Sequence, residues 1–401
     1  MATARILRRE PSQAALGAQG RTRRLAHVII FACVVSSVIA LKFDRARFIH
    51  AYFVAFGALW TLSLGGLFLT LLHHVLGARW SVATTRRTRP LVALLPWCAL
   101  LFAPVVFWVK DLFPWMLRTS EQTAHPLHFA TYFHLPSFIV RAAVYWLIWL
   151  ALASVYCGKN LQIGGTRELQ FARRLSGPAL VLFAFTTTFA GFDWFMSIQS
   201  NWHSAVFGVY LFAGAVPSAL AFLAILTVVL ERFRLVSTPM NTNVRHDIGK
   251  LLFGFVVFWA YIAFSQYLLI WYAGLTSETP FFRTRFNHDW LPTTLLLFGL
   301  HFVLPFIGLL SAAAKRSPAV LGAVSLIVLA AHVVDLFWLV MPALESRRSH
   351  FCFADIPAVL MLACTLVILL AKGIEGELRW PESKMATAPM EPVHPDFRSI
   401  A

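Results

Sequence analysis

Acidic side chains are scarce in this 401-residue chain. Asp and Glu together number 18 against 34 Lys and Arg, and charged residues of both signs make up only 13% of the sequence. A water-soluble domain carries roughly 25% charged residues, so the chain lacks the ionic surface that keeps a large body in water. Cysteine is scarce too. Cys33, Cys98, Cys157, Cys352 and Cys364 form no Cys-x-x-Cys pair and no Cys-x-x-Cys-His signature. A covalently attached c-type haem therefore has no attachment motif here, and the five thiols read as small apolar packing residues. Heptad arrays, low-complexity tracts and soluble repeats are also missing.

What is present is apolar sequence. Hydrophobic residues make up 59% of the chain and fall in long runs such as LVALLPWCALLFAPVVFWV. These are too long for buried strands and long enough to cross a hydrocarbon layer of ~30 Å at 1.5 Å per residue. The first run, Leu25 to Leu41, is short and follows an Arg-rich start, the pattern of a signal peptide. Its basic lead is long, however, and no A-x-A site precedes Lys42, so it reads as a retained helix. Further runs cover approximately 46–76, 90–110, 134–157, 177–197, 203–230, 248–274, 290–313, 318–341 and 354–373. The expected fold is an all-α integral membrane protein of about ten transmembrane helices. Pro104, Pro217 and Pro305 fall inside runs, where a membrane helix tolerates them as kinks.

The net charge of +16 admits a nucleic-acid binder or a membrane protein with basic loops. The basic residues mark loop ends and form no stripe, which excludes nucleic acid as a partner. Lys and Arg concentrate on alternate loops: the N-tail, 77–89, 158–174, 232–250, 315–316 and the C-tail. By the positive-inside rule both termini are cytoplasmic. The expected organisation is a basic N-tail over 1–24, one membrane domain over 25–373, and a flexible, Pro-rich C-tail over 381–401 that could strap onto a partner.

Ionisable groups inside apolar runs are costly and are functional candidates. Arg141 in the fourth run and Asp193 in the fifth lie at comparable outer depth, about 10 Å in for Arg141, so they suit an ion pair, structural or functional. His332 and Asp335, three residues apart, share a face of the ninth helix. A carboxylate beside an imidazole suits a proton relay; an interhelical hydrogen bond without transport is the plainer alternative. His301 sits mid-helix in the eighth run, as a packing residue or a ligand. In the seventh run, WAYIAFSQYLLIWYAG, Tyr261, Ser265 and Gln266 offer groups that hand on protons through water or glue helices together, while Trp271 and Tyr272 suit an aromatic belt. Thr186, Thr187 and Thr188 are weaker candidates of the same kind. His73 and His74 end the second helix and, with Lys250, would form an inner mouth. Arg141, Asp193, Gln266, His332 and Asp335 are thus expected to cluster in the outer half, with His301 and Tyr261 between them and the inner end.

Three stretches carry a family resemblance: FGALWTLSLGGLFLTLLHHVLGARW, TTTFAGFDWFMSIQSNWHSAVFGVYLFAGA, and FGFVVFWAYIAFSQYLLIWYAGLTSET. Across most of 46–345 the chain resembles the ActF-type membrane subunit of alternative complex III, a quinol:cytochrome c oxidoreductase. That subunit is related to the NrfD/PsrC-like membrane subunits of polysulfide reductases. The resemblance implies two four-helix bundles, over 46–197 and 203–341, plus peripheral helices. It implies a bacterial inner-membrane location and a subunit that supports the complex and a proton path without being catalytic alone. Haem c and iron–sulfur clusters would reside in partner subunits, and this chain would hold no cofactor of its own, with a membrane quinone left open. The partners implied are multihaem cytochrome c and iron–sulfur subunits, a second NrfD-like membrane subunit, a terminal oxidase, and membrane lipid and quinol. Asp193, in FDWFMS, and Tyr261 and Gln266, in WAYIAFSQY, match its motif stretches. Two rivals stay open: a haem-b carrier ligated by His301 and His332, and a secondary transporter, though no pair of half-matched broken helices stands out.

Overall fold

A computed structural model describes residues 13–76, 87–116, 132–157, 166–199, 202–233, 242–276, 278–344 and 351–379. Among them there is no strand, and nine helices are long and apolar enough to cross a membrane. They are α2 (Arg45–Leu76), α3 (Arg87–Phe107), α4 (Leu135–Cys157), α5 (Gln170–Ile198) and α6 (Phe207–Arg232), then α7 (Thr242–Ala273), α8 (Leu291–Gly308), α9 (Pro318–Leu344) and α10 (Phe353–Gly376). Before them, α1 (Gln13–Phe43) is helical, but its described apolar stretch, Val28–Phe43, is shorter than the other nine. The chain is a multi-pass helical membrane protein. Of the expected tail over 1–24, residues 1–12 lie outside the described residues and α1 begins at Gln13, within it; the expected tail over 381–401, the loop 77–86 and most of the loop 111–133 also lie outside them.

Burial sorts the helices. In α2 and α6, 94% and 83% of the most apolar window is buried, against 17–44% in the other seven. The outer helices present Leu147, Phe107, Phe189 and Trp271 outward, as a lipid-facing wall should, because a hydrocarbon solvent asks for no polar cover. The two central helices sit back to back, and small residues make this possible. A Cβ added to Gly65 of α2 would lie 2.3 Å from the Ala215 carbonyl oxygen of α6 and 2.8 Å from the Ala219 Cβ. Lipid supplies no hydrophobic drive for helix association, so such backbone approach carries the packing. Around this pair, α9 packs on both α6 and α2, α7 packs on α6, α5 packs on α2 and α4, and α1 with α10 forms a peripheral pair leaning on α2. The α10 entry is pinned by a bidentate pair between Arg47 Nε and Nη2 and the Asp355 carboxylate, at 3.1 and 2.9 Å, with both side chains only 4% exposed.

Several helices are irregular where the sequence dictates it. α3 breaks at Phe102, just before Pro104. α8 widens into a π-helix over Gly299–Val303, ahead of Pro305. It ends by Gly308, earlier than the expected 313, because a turn leads into the short helix Ala312–Arg316, capped by Ser311. α5 ends in a second π-helix, Gly191–Phe195. Pro217 is carried within a continuous α6. In α9, Pro342 removes the N–H that would reach the Trp338 carbonyl. Arg285, fully buried in the short helix Thr279–Arg285, supplies the missing donor: its Nε reaches Trp338 O at 3.1 Å, while its Nη2 reaches the neighbouring Leu339 O at 2.9 Å.

Gly65→Val is expected to destabilise the chain by about 1–3 kcal/mol through overpacking, read as a lower midpoint of thermal unfolding in detergent. Gly254→Ala in α7, where an added Cβ meets nothing within 4 Å, should leave that midpoint in place.

Candidate functional site

The polar side chains expected to form one outer cluster divide into two buried centres on different sides of α2. The first lies between α4 and α5. Arg141 grips Asp193 through Nε at 2.8 Å and Nη2 at 3.2 Å, and the Tyr145 hydroxyl donates to the same carboxylate at 2.9 Å. Asp193 sits inside the π-helix Gly191–Phe195 and is 1% exposed. The extra residue of a π turn re-aims side chains and favours functional positions. Arg141 spends Nη1 on the Tyr132 carbonyl at 2.8 Å and on Ser137, and lies 3.7 Å over the Tyr132 ring. Burial and the neighbouring carboxylate push the Tyr132 phenol up to about 12, so it stays protonated. An aromatic wall of Trp60, Phe102, Trp146, Trp149 and Trp194 encloses this centre. A charge pair fixed by three further donors and acceptors inside such a wall is well suited to locking two helices together.

The second centre draws on five helices. Asp335 of α9 accepts hydrogen bonds from the Tyr210 hydroxyl of α6 and from Trp259 Nε1 of α7, the latter at 3.1 Å. One turn earlier, His332 Nε2 meets Thr61 Oγ1 of α2 at 2.8 Å. His301, in the π-helix of α8, stacks on Trp259 with centroids 3.9 Å apart and faces the His332 ring at 6.3 Å. His301, His332 and Asp335 are all under 4% exposed. Both nitrogens of His301 and Nδ1 of His332 have no protein hydrogen-bond partner. The His332 and Asp335 side chains do share a face, as their spacing predicts, but the carboxylate is held by Tyr210 and Trp259 and the imidazole by Thr61. The centre therefore combines one acid, two imidazoles and one phenol, with three unspent ring nitrogens. Buried nitrogens of this kind are commonly satisfied by ordered water, and acids, imidazoles and phenols are the groups able to exchange protons.

Other expected members fall elsewhere. Tyr261 is 64% exposed on the outer face of α7, and the Ser265 hydroxyl donates to its carbonyl at 2.7 Å; neither reaches the centre. The reason is the 3.6-residue turn: Trp259 and Gln266, seven residues apart, share the inward face, and both are buried. At the inner end, His74 Nδ1 meets the Thr70 carbonyl, and its ring contacts His73 and Tyr156. Lys250 is exposed and pairs with Asp247 of its own helix at 2.7 Å, so the inner mouth of His73, His74 and Lys250 is not assembled by any contact among the described residues. Thr186 accepts from Trp149 Nε1 at 3.0 Å, a packing role.

Tyr210, Trp259 and Thr61 escape a reading based on charge. Tyr210 had a signal nonetheless: Tyr210, Gly214 and Ser218 recur every four residues in the apolar α6, a stripe of small and polar groups on one face. No protein-family model and no curated protein matches the sequence.

Replacing Arg141 with Leu should leave a buried, unpaired carboxylate and cost about 3–5 kcal/mol. A double change, Arg141→Leu with Asp193→Leu, should recover most of that loss. Unfolding midpoints of the two variants in detergent check this, and equal loss in both would show that the stranded carboxylate is not what destabilises the single variant.

Proposed function

We propose that this chain is the membrane subunit of a quinol-oxidising respiratory assembly in a bacterial inner membrane, and that its own contribution is a proton path along the seam between α6 and α9. The observation that carries this reading is the buried second centre, where Asp335, Tyr210, His332 and His301 meet. A membrane-embedded acid of this kind is costly to keep and is repaid only by use.

The seam supports a route of the needed length. Tyr210 of α6 faces Asp335 of α9, and Gly214 faces His332 one turn along. Ser218 and Ser325, both fully buried, continue the seam, and the Ser325 hydroxyl has no protein partner. Toward the far end of α6, Thr227 accepts from Arg87 at 3.2 Å and Glu231 accepts from Arg245 at 2.6 Å. From Tyr210 to Glu231 the helix rises roughly 30 Å, about the thickness of the hydrocarbon core. Asp335 takes up a proton and His332 relays it; ordered water bridges the serine-lined section. Electron transfer belongs to partner subunits: multihaem cytochrome c and iron–sulfur chains, a second membrane subunit of the same type, and a terminal oxidase. The Arg141–Asp193 pair is assigned to scaffold, not transport.

The test is purification of the tagged chain from native membranes in mild detergent, with identification of co-eluting chains and an assay of quinol:cytochrome c activity. Co-elution with haem c and iron–sulfur subunits is expected; a chain that elutes alone with no quinol activity in any fraction overturns the assignment. In the reconstituted assembly, Asp335→Asn should lower proton movement per electron by an order of magnitude or more, on the order of the loss of a general acid–base group. Tyr261→Phe should leave it unchanged. Proton uptake measured with a pH dye inside proteoliposomes reads both.

A further inference from the structure

The first turns of α7 meet the short helix Ala312–Arg316 and the start of α9, at the end of the bundle that the positive-inside rule places in the cytoplasm. A lysine is buried in that corner. Lys315 is 9% exposed. Its stem lies on Gly249 of α7, where an added Cβ would stand 2.9 Å from the Lys315 Cβ and 3.1 Å from its Cγ. Its Nζ lies 4.5 Å from the centroid of the Phe253 ring, one turn further along α7. The side chain therefore runs toward the bilayer middle. A lysine near a helix end ordinarily snorkels the other way, with its stem in hydrocarbon and its ammonium in water.

The acids nearby are spent on other cations. Glu231 holds Arg245 at 2.6 Å, and Asp247 holds Lys250 at 2.7 Å. Among the described residues no carboxylate pairs with Lys315 or with the exposed Arg316 beside it. The face of Phe253 recovers only part of what it costs to take an ammonium out of water. Lys250, Lys315 and Arg316 all stand within electrostatic reach of His246. The positive end of the α9 dipole, which begins at Pro318, adds to the same corner. The corner thus holds surplus positive charge, part of it on a group that water barely reaches. Its complement is an anion able to sit at the edge of hydrocarbon. The surface beyond Phe253 narrows that anion further. Phe253 stacks on Phe306 of α8 with centroids 5.3 Å apart, Phe306 meets Phe302 at 5.3 Å, and Phe302 meets Phe298 at 5.6 Å. From Phe306 to Phe298 this row of rings covers roughly 12 Å of helix. Phe298, Leu304 and Ile307 are exposed, and a Cβ added to Gly254, next to Phe253, would meet nothing within 4 Å. The row faces lipid, and the ammonium at its inner end is approached from the lipid side.

We propose that the corner of α7, α9 and the helix Ala312–Arg316 binds one anionic phospholipid of the inner leaflet, with its phosphate held by Lys315 and Arg316 and an acyl chain laid along Phe306, Phe302 and Phe298. Basic pockets between spanning helices on the cytoplasmic side recognise such headgroups. Positive charge at the inner end, followed by an apolar row leading to the bilayer middle, is the outline of a lipid. A free phosphate or an acidic peptide would use the corner and leave the row bare. The bound lipid ties the short helix to α7, and the site is separate from the α6–α9 seam.

The experiment uses the full chain, purified from native membranes in mild detergent with whatever partners remain attached. It is incubated with phosphatidylglycerol or with phosphatidylcholine of the same acyl chains, and native mass spectrometry counts the lipid retained. The unmodified protein is expected to retain one more phosphatidylglycerol than phosphatidylcholine. Arg316→Gln should lower retention of that lipid by about five-fold, the effect of one cation at a membrane surface. Lys315→Gln, which keeps the stem on Gly249 and removes a buried charge, should lower it further. Lys110→Gln, which removes an exposed cation near the opposite end, should leave it unchanged. Should Lys315→Gln fail to elute as a single species, Arg316→Gln decides. Equal retention of the two lipids, or a loss in Lys110→Gln matching that in the corner variants, overturns the proposal. Inorganic phosphate in excess should not displace the lipid; displacement by phosphate alone reveals an anion site with no use for an acyl chain, and overturns the lipid assignment.

Discussion

The backbones of α2 and α6 touch where Gly65 meets Ala215 and Ala219, and most of the molecule is arranged by that contact. A membrane protein cannot rely on water to press its helices together, so the closest approach must come from residues with nothing to clash. Once two helices lie this near, every other element has only their outer faces to pack on. That is why two helices are almost wholly buried while seven present most of their surface outward. It also explains where the chemistry sits. Thr61 and Tyr210, which complete the His332–Asp335 centre, belong to these two central helices and would be out of reach if the helices stood a side chain further apart.

The second organising feature is controlled irregularity of the backbone. Inside a membrane an unpaired carbonyl is expensive, so a broken helix survives only where something else supplies the donor. Arg285 does this for the Trp338 carbonyl freed by Pro342, holding its guanidinium against Phe281 and Trp338. The two π-helices are the other instance, and each carries a polar residue of one of the centres: Asp193 in Gly191–Phe195 and His301 in Gly299–Val303. Such widened turns cost helix stability, and their coincidence with the only acid of the first centre and an imidazole of the second argues that they aim those groups.

Much of this was legible in the sequence, for reasons that can be traced. Long apolar runs announce spanning helices because the hydrocarbon thickness fixes their length, and the boundaries of α2, α4 and α9 follow the runs closely. Arg141 with Asp193, and His332 with Asp335, stood out because a charge inside an apolar run has few explanations. What did not show was partnership across helices. α7 is apolar on every side, so its pattern could not say that Trp259 and Gln266 face inward while Tyr261 faces out. The first run is a helix whose described apolar stretch is shorter than the rest. Nor could one dimension reveal that the outer-half polar residues would part into two centres, since that depends on which side of α2 each neighbour packs.

α2 is in fact a shared wall. Trp60 stacks on Phe195, centroids 5.7 Å apart and planes within 8°, next to the π-helix that holds Asp193; the following residue, Thr61, holds His332. Gly57, one turn back, lies between Phe195 on one side and Leu336 on the other. Adjacent residues of one helix turn as a rigid unit, so a rotation of α2 that releases Thr61 from the imidazole must also slide Trp60 off its stack. The two centres are thereby geared to one axle. A substitution on this stretch of α2 therefore bears on the packing around both centres at once.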